Sequence, residues 1–351
     1  MNFKVINAIE ESDIWEQEIS RVPDELNDIY FSSKFVQMNN LSLESNPILF
    51  SFHKNNYFWL YSFIMSQIDK KFYPLEEKCY FDIETPYGYG GPISNTDDET
   101  FLNHAQNEFF NWCQENNIVA EFVRFHPVIN NFRFYQMLDS LEINRYTISS
   151  NLKELSEIKY DQKTRNMIRK FKKNNFNISI TKCQDKFLKF VDIYKKNILS
   201  KNVSEFYLFN DKYFQQLYEI INKNGCIIFS EDNEENFLGG IVILNGKKIS
   251  HYHLSATIKS SEYAGLTNAL LDKALDFAKD SNLEYFHFGG GNSASKEDNL
   301  FKFKKKMGNV ENKFYIGKKI HNLEIYNTIK ANWSKLNNKK TIGDKTLFYK
   351  D

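Results

Sequence analysis

One order of elements occurs twice in this chain, and it restricts the fold more than any single motif does. In the first half, residues 57–67 and 79–84 are alternating aromatic and aliphatic runs that read as strands, 97–116 reads as a helix, and 119–125 as a further strand. The helix is set by Phe101, Ala105, Phe109 and Trp112 at three- and four-residue spacing, with Asp97, Asp98 and Glu99 at the end where the backbone dipole favours acids. In the second half, residues 237–245 and 248–257 read as two strands joined at Asn245-Gly246, a dipeptide suited to a hairpin. A helix over 264–279 follows, with Leu266, Leu270, Leu271, Ala274, Leu275 and Ala278 on one face, and then a strand over 283–288. The repeat predicts an α/β protein with mixed α+β sheets, made of two related domains, 1–150 and 151–351, that meet in the polar stretch 148–160.

Two glycine-rich loops mark strand ends. Gly289, Gly290 and Gly291 let the backbone turn sharply at the carboxyl end of the strand 283–288, where an open α/β sheet usually holds its ligand. A small polar loop from Asn292 to Ser295 comes next. Phe301, Phe303 and Met307 then recur among Lys302, Lys304, Lys305 and Lys306, a short basic helix that Gly308 is expected to cap. In the first half, Tyr87-Gly88-Tyr89-Gly90-Gly91-Pro92 alternates rings able to stack on a ligand with glycines that permit close backbone approach. The run 163–173 carries six cations in eleven residues and no acid. Read as a helix, it turns Met167, Ile168 and Phe171 inward and sets Arg165, Arg169 and Lys172 on an outer face suited to phosphate.

The segment Gly289-Gly290-Gly291 followed by Phe303-Lys304-Lys305-Lys306-Met307-Gly308 resembles the "GGG … FKxxFG" signature of the FemAB-like branch of the GNAT acyltransferases, with Met307 where Phe is usual. The tyrosine-glycine loop is similar to one in that family, and Arg165, Ile168, Arg169 and Lys170 match its R-x-x-I-R-K segment. The resemblance implies two tandem GNAT-like acyl-CoA N-acyltransferase domains, the first on the acceptor side and the second catalytic and on the donor side. It further implies an enzyme that moves an acyl or aminoacyl group from acyl-CoA or aminoacyl-tRNA to an amine of a cell-envelope precursor, in peptidoglycan or polysaccharide biosynthesis, the acceptor being nucleotide-linked or a surface sugar. Tyr87, Tyr89, Gly90, Gly91, Arg165, Arg169, Lys170, Gly289, Gly290, Gly291 and Asn292 are then expected to bind substrate, and Lys304 to stabilise the tetrahedral intermediate.

Acyl transfer to an amine needs a group for the developing oxyanion and a route for the amine proton. His251 and His253, on one face of a strand, and His287 on the glycine-loop strand are the candidate bases, with water as the alternative. The donor stays open between the two classes. Where GNAT domains hold pyrophosphate, this chain has Lys259-Ser-Ser-Glu-Tyr-Ala-Gly-Leu266, which keeps only Gly265 and adds the repelling Glu262; the helices over 187–199 and 212–222 are too short for the long hairpin of the tRNA-using members. A non-catalytic protein with two such domains, binding RNA or a phosphorylated ligand through 163–173, is the other class of function. The 45 basic and 45 acidic residues cancel, so a nucleic-acid partner, tRNA included, has to be met by a local patch. Four scattered cysteines lack metal spacing, no metal is expected, and the absence of a signal-like or membrane-spanning apolar run points to a cytoplasmic protein.

Overall fold

The most apolar runs of the first half form a sheet whose strands follow the expected order. The computed structural model describes residues 3–40, 42, 44–73, 78–154, 160–174, 176–200, 208–337 and 345–350. In the first unit, β1 (Phe3–Asn7) leads through the helices α1 (Ser12–Ile19) and α2 (Ser33–Met38) to β2 (Ser45–Lys54), β3 (Tyr57–Gln67) and β4 (Phe81–Glu84), each antiparallel to the one before. A two-residue strand, β5 (Ile93–Ser94), lies against β3. The chain then forms α3 (Glu99–Glu115) and returns as β6 (Ile118–Arg124), parallel to β4. Asp98 starts α3 by accepting the Phe101 N–H at 2.7 Å, and Phe109 and Trp112 pack from the helix onto Phe50 and Phe63 of the sheet. Beside β6 runs the second half of β13 (Val310–Ile320), antiparallel through Ile316–Ile320, followed by α9 (Leu323–Leu336).

The second unit repeats this order. From β7 (Ser140–Asn151) the chain passes through α4 (Gln162–Lys172) to β8 (Asn177–Thr181), α5 (Gln184–Leu199), α6 (Asp211–Asn224), β9 (Gly225–Glu231), β10 (Phe237–Asn245) and β11 (Ile249–Thr257). Strands β8 to β11 are antiparallel neighbours; α7 (Leu266–Asp280) then leads to β12 (Tyr285–Gly290), parallel to β11, and β12 is flanked by the antiparallel residues Thr147–Asn151 of β7. The face of α7 bearing Leu266, Ala269, Leu270, Leu271, Ala274, Leu275 and Ala278 is buried against Ile241, Ile243, Phe286 and Phe288, together with Phe301 and Met307 from the segment of α8 (Asn299–Lys305).

The units are not the consecutive stretches 1–150 and 151–351. The chain leaves the first between Asn144 and Arg145, inside β7, and rejoins it between Lys313 and Phe314, inside β13; Asn27–Ile29 belongs to the second. The cause is that β6 in the first unit and β12 in the second each pair with a strand from a distant part of the chain, β13 and β7. The polar stretch 148–160 is therefore partly strand, and its residues 155–159 lie outside the described residues. Gly308 closes α8 by donating its N–H to the Lys304 carbonyl at 3.1 Å, but what requires a glycine there is close packing on β7, since a Cβ would stand 2.5 Å from Ile148 Cγ2 and 2.7 Å from the Ser149 carbonyl.

Buried charge in the first unit is matched by donors. Glu121 accepts from the Tyr61 hydroxyl at 2.8 Å and the Tyr135 hydroxyl at 2.7 Å, and meets His321 Nε2 at 3.0 Å. Asp82, 1% exposed, lies 2.6 Å from Lys350 Nζ, yet burial outweighs that ammonium and pushes its carboxyl up to about 6. A folded-state value raised above the ordinary 3.8 means stability that is present at low pH and lost as pH rises through about 6. Asp82→Asn is expected to remove this loss. Urea midpoints measured from pH 4 to about 7 should fall less steeply for the variant than for the wild type, and parallel curves would show that Asp82 does not titrate in this window.

Candidate functional site

The parallel strands β11 and β12 pair only over Ile249–His251 and Tyr285–His287, and past that level the two strands run on without pairing to each other. Three glycines end β12 for three different reasons. Gly289 has φ +78°, open to glycine at no cost; at Gly290 a Cβ would be 3.0 Å from the Tyr146 carbonyl; at Gly291 it would collide with the Asp298 carboxylate. Two of their carbonyls are held by cations: Lys304 Nζ donates to Gly290 O at 2.7 Å and Arg145 Nη1 to Gly291 O at 3.0 Å.

Lys304 projects from α8, whose start is fixed by the Asp298 side chain accepting the Phe301 N–H at 2.9 Å and whose apolar side buries Phe301. Its ammonium lies 5.5 Å from the centre of the Tyr252 ring on β11, so it reaches across the opening from the β12 carbonyl to the β11 side chain. The residue is 8% exposed. Burial pushes its pKa down to about 7, a shift that the Asp298 carboxylate opposes and the Arg145 guanidinium adds to. An acidified ammonium next to a strand end is suited to meeting a developing negative charge.

The histidines do not join it. Phe286, Phe288 and Tyr252 pack with the α7 and α8 core, which turns His251 and His287 to the other side of the sheet. There His251 Nε2 meets Asp28 at 2.9 Å, His287 meets Thr147 Oγ1 at 3.0 Å, and the two rings lie edge to face at 5.5 Å. His253 sits where the pairing of β10 with β11 skips one residue, 2.9 Å from the Tyr213 hydroxyl of α6, and burial first and His251 second push it down to about 3. Asp28, Arg145 and Tyr252 had no sequence signal, since each meets its partner only through the tertiary fold; Asp298 had a local one, as an acid three residues before Phe301 at a helix start.

The remaining expected residues occupy separate places. Asn292 is exposed in the loop after the glycines. Arg165, Arg169 and Lys170 are exposed on α4, where Arg165 also donates to the Tyr160 carbonyl and the neighbouring Lys172 pairs with Asp272 at 2.8 Å. Gly265, at the start of α7 with φ +94°, packs against the Met167 carbonyl of α4, and the next N–H, of Leu266, is already bonded to Tyr263 O at 3.0 Å. In the first unit, Tyr87 is half-buried, and Tyr89 lies edge-on to Tyr30 at 5.3 Å, His126 at 5.5 Å and Phe314 at 5.3 Å. The Gly90 carbonyl accepts from Asn131 at 2.8 Å, and Gly91 has φ +84°. No described helix is long and apolar enough to cross a membrane.

No family model and no curated protein matches the sequence. Solved structures are similar in fold. FemX superposes with a TM-score of 0.69 at 11% identity over 94% of this chain and 100% of its own. The C-terminal domain of a protein assigned as a lysylphosphatidylglycerol synthetase from Agrobacterium fabrum gives 0.54 at 12% over 92% and 96%. L-PGS from Bacillus licheniformis gives 0.52 at 12% over 78% and 85%. The mixed α/β fold is thus the one expected.

Because Lys304 holds its proton less tightly when folded than the ordinary 10.5, the folded chain gains stability relative to the unfolded one as pH rises from about 7 toward that value. Lys304→Met should lack this gain. Denaturation midpoints at neutral and alkaline pH check it, and an equal gain in the variant would place the titration elsewhere.

Proposed function

We propose that this protein is an acyltransferase that moves an acyl or aminoacyl group from a thioester or ester to an amine of a cell-envelope precursor or surface sugar. The observation that carries this reading is the buried Lys304 ammonium, held by a carbonyl and a ring at the point where β11 and β12 part. In the reaction the amine nitrogen bonds to the acyl carbon, the carbonyl electron pair moves onto oxygen, and Lys304 stabilises that oxyanion; collapse then expels the oxygen or sulfur leaving group, which takes up the proton the amine gives off. Since His251, His253 and His287 face away from Lys304, water or the leaving group itself carries that proton. The likeness of fold to FemX supports the assignment. A protein that only bound RNA would need no buried ammonium. Lys304→Met is expected to lower kcat and kcat/KM together by about a hundredfold or more, the pattern of an interaction made only in the transition state. A raised KM with kcat kept would instead make Lys304 a substrate holder.

Aminoacyl-tRNA is the donor that the arrangement favours over acyl-CoA. The start of α7, where a pyrophosphate would lie, is packed against α4, and the Leu266 N–H is used within the turn. The exposed Arg165, Arg169 and Lys170 stand on that same helix α4 and suit a nucleic-acid backbone. Changing Arg165 and Arg169 together to Ala should weaken tRNA binding and flatten its salt dependence, read from affinities at two or more salt concentrations. Equal affinity and slope in the variant would remove α4 from donor binding.

A further inference from the structure

Three of the four lysines around α8 are tied to acids: Lys302 to Glu297, Lys305 to Glu311 at 3.4 Å, and Lys306 to Asp161 at 4.0 Å. Lys304 is held differently. Its ammonium is held by the Gly290 carbonyl and the face of Tyr252, and no carboxylate among the described residues lies within ion-pair distance of it. A buried ammonium in such surroundings is charged only as far as more distant fields allow. The groups that face it are Asp298 at the start of α8, Arg145 of β7 and the Tyr252 ring of β11.

Asp298 is built into this place. Its carboxylate accepts the Phe301 N–H at 2.9 Å and interacts further with the backbone N–H groups of Asn292, Leu300 and Ser293. One side chain thus joins the loop after the glycines to the helix that carries Lys304. These N–H groups, Phe301 first, hold the Asp298 carboxyl below its ordinary value and keep it ionised. Gly291 lacks a Cβ where that carboxylate stands. An ion pair would hold the ammonium on the acid and away from substrate; an acid occupied by backbone donors acts on Lys304 through its field alone.

We propose that Asp298 is a positioning residue that acts through Lys304: it fixes the helix start against the glycine loop and, without forming an ion pair, sets a negative charge toward the buried ammonium. This rests on the reading of Lys304 as the oxyanion stabiliser, but its test does not. Titration of the lysine side-chain resonances of the full chain by NMR follows Lys304 directly, the signal being the one missing from Lys304→Met. Asp298→Asn keeps a capping side chain and removes the charge, so thermal stability should be retained while the Lys304 midpoint falls by about one pH unit, a tenfold loss of proton affinity. Arg145→Gln removes the opposing charge and should move the midpoint upward; shifts of opposite sign do not arise from general loosening. An unmoved midpoint in a folded Asp298→Asn overturns the proposal. Should that variant not fold, Asp298→Ser, another capping residue without charge, carries the same expectation, and if neither folds, Asp298 serves folding alone and the proposal fails. Full transfer activity in Lys304→Met would remove Lys304 from the chemistry and leave the titration result standing.

Discussion

Where β11 and β12 stop pairing, after His251 and His287, the chain faces a problem of backbone accounting. Gly290 and Gly291 are half-buried there, and a carbonyl shielded from water without a partner costs about as much as a lost hydrogen bond, so donors other than β11 stabilise this strand end. These donors are cations, Lys304 for Gly290 and Arg145 for Gly291. The opening of the sheet and the burial of the lysine are therefore one event. Lys304 satisfies the strand end, and by doing so it is drawn into surroundings that lower its affinity for its own proton.

Buried ionisable groups are closely paired in both units, His251 with Asp28 in the second for example, and Lys304 departs from that pattern. Glu121 in the first is surrounded by two tyrosine hydroxyls and a histidine, and Lys350 stands between Asp82 and Glu84. Such networks fix one arrangement of the core and leave little unspent interaction for a ligand. In the second unit the ammonium of Lys304 is held, among the described residues, by a carbonyl and a ring, groups that fix its position without cancelling its charge. This contrast supports the second unit as the seat of the proposed transfer.

Much of the fold was legible because the relevant physics is local. The boundaries of β3 and β10 follow from their alternation and flanking turns, α7 from its apolar stripe, and the place of Lys304 from a short motif. What the sequence hid lies in contacts between remote residues. Asp28 reaches His251 across 223 positions, Arg145 reaches Gly291 across 146, and no periodicity records either. Gly308 was legible as the end of α8, but the reason its side chain is missing, the nearness of Ile148, is invisible in one dimension. The histidines misled in a related way: strand alternation puts His251 and His253 on a common side, but only the packing of Tyr252 shows that Lys304 is on the other.

The interleaving of the chain bears on how it becomes native. The first unit needs Ile316–Ile320 beside β6, so a ribosome that has released residues 1–144 has not yet made the strand that covers this edge. Until β13 emerges, β6 presents unsatisfied backbone groups, the hazard that edge strands carry. Synthesis from the N-terminus therefore does not deliver one finished unit and then another; the earlier half waits for the later, and its closure is a loop of long sequence separation, which slows folding.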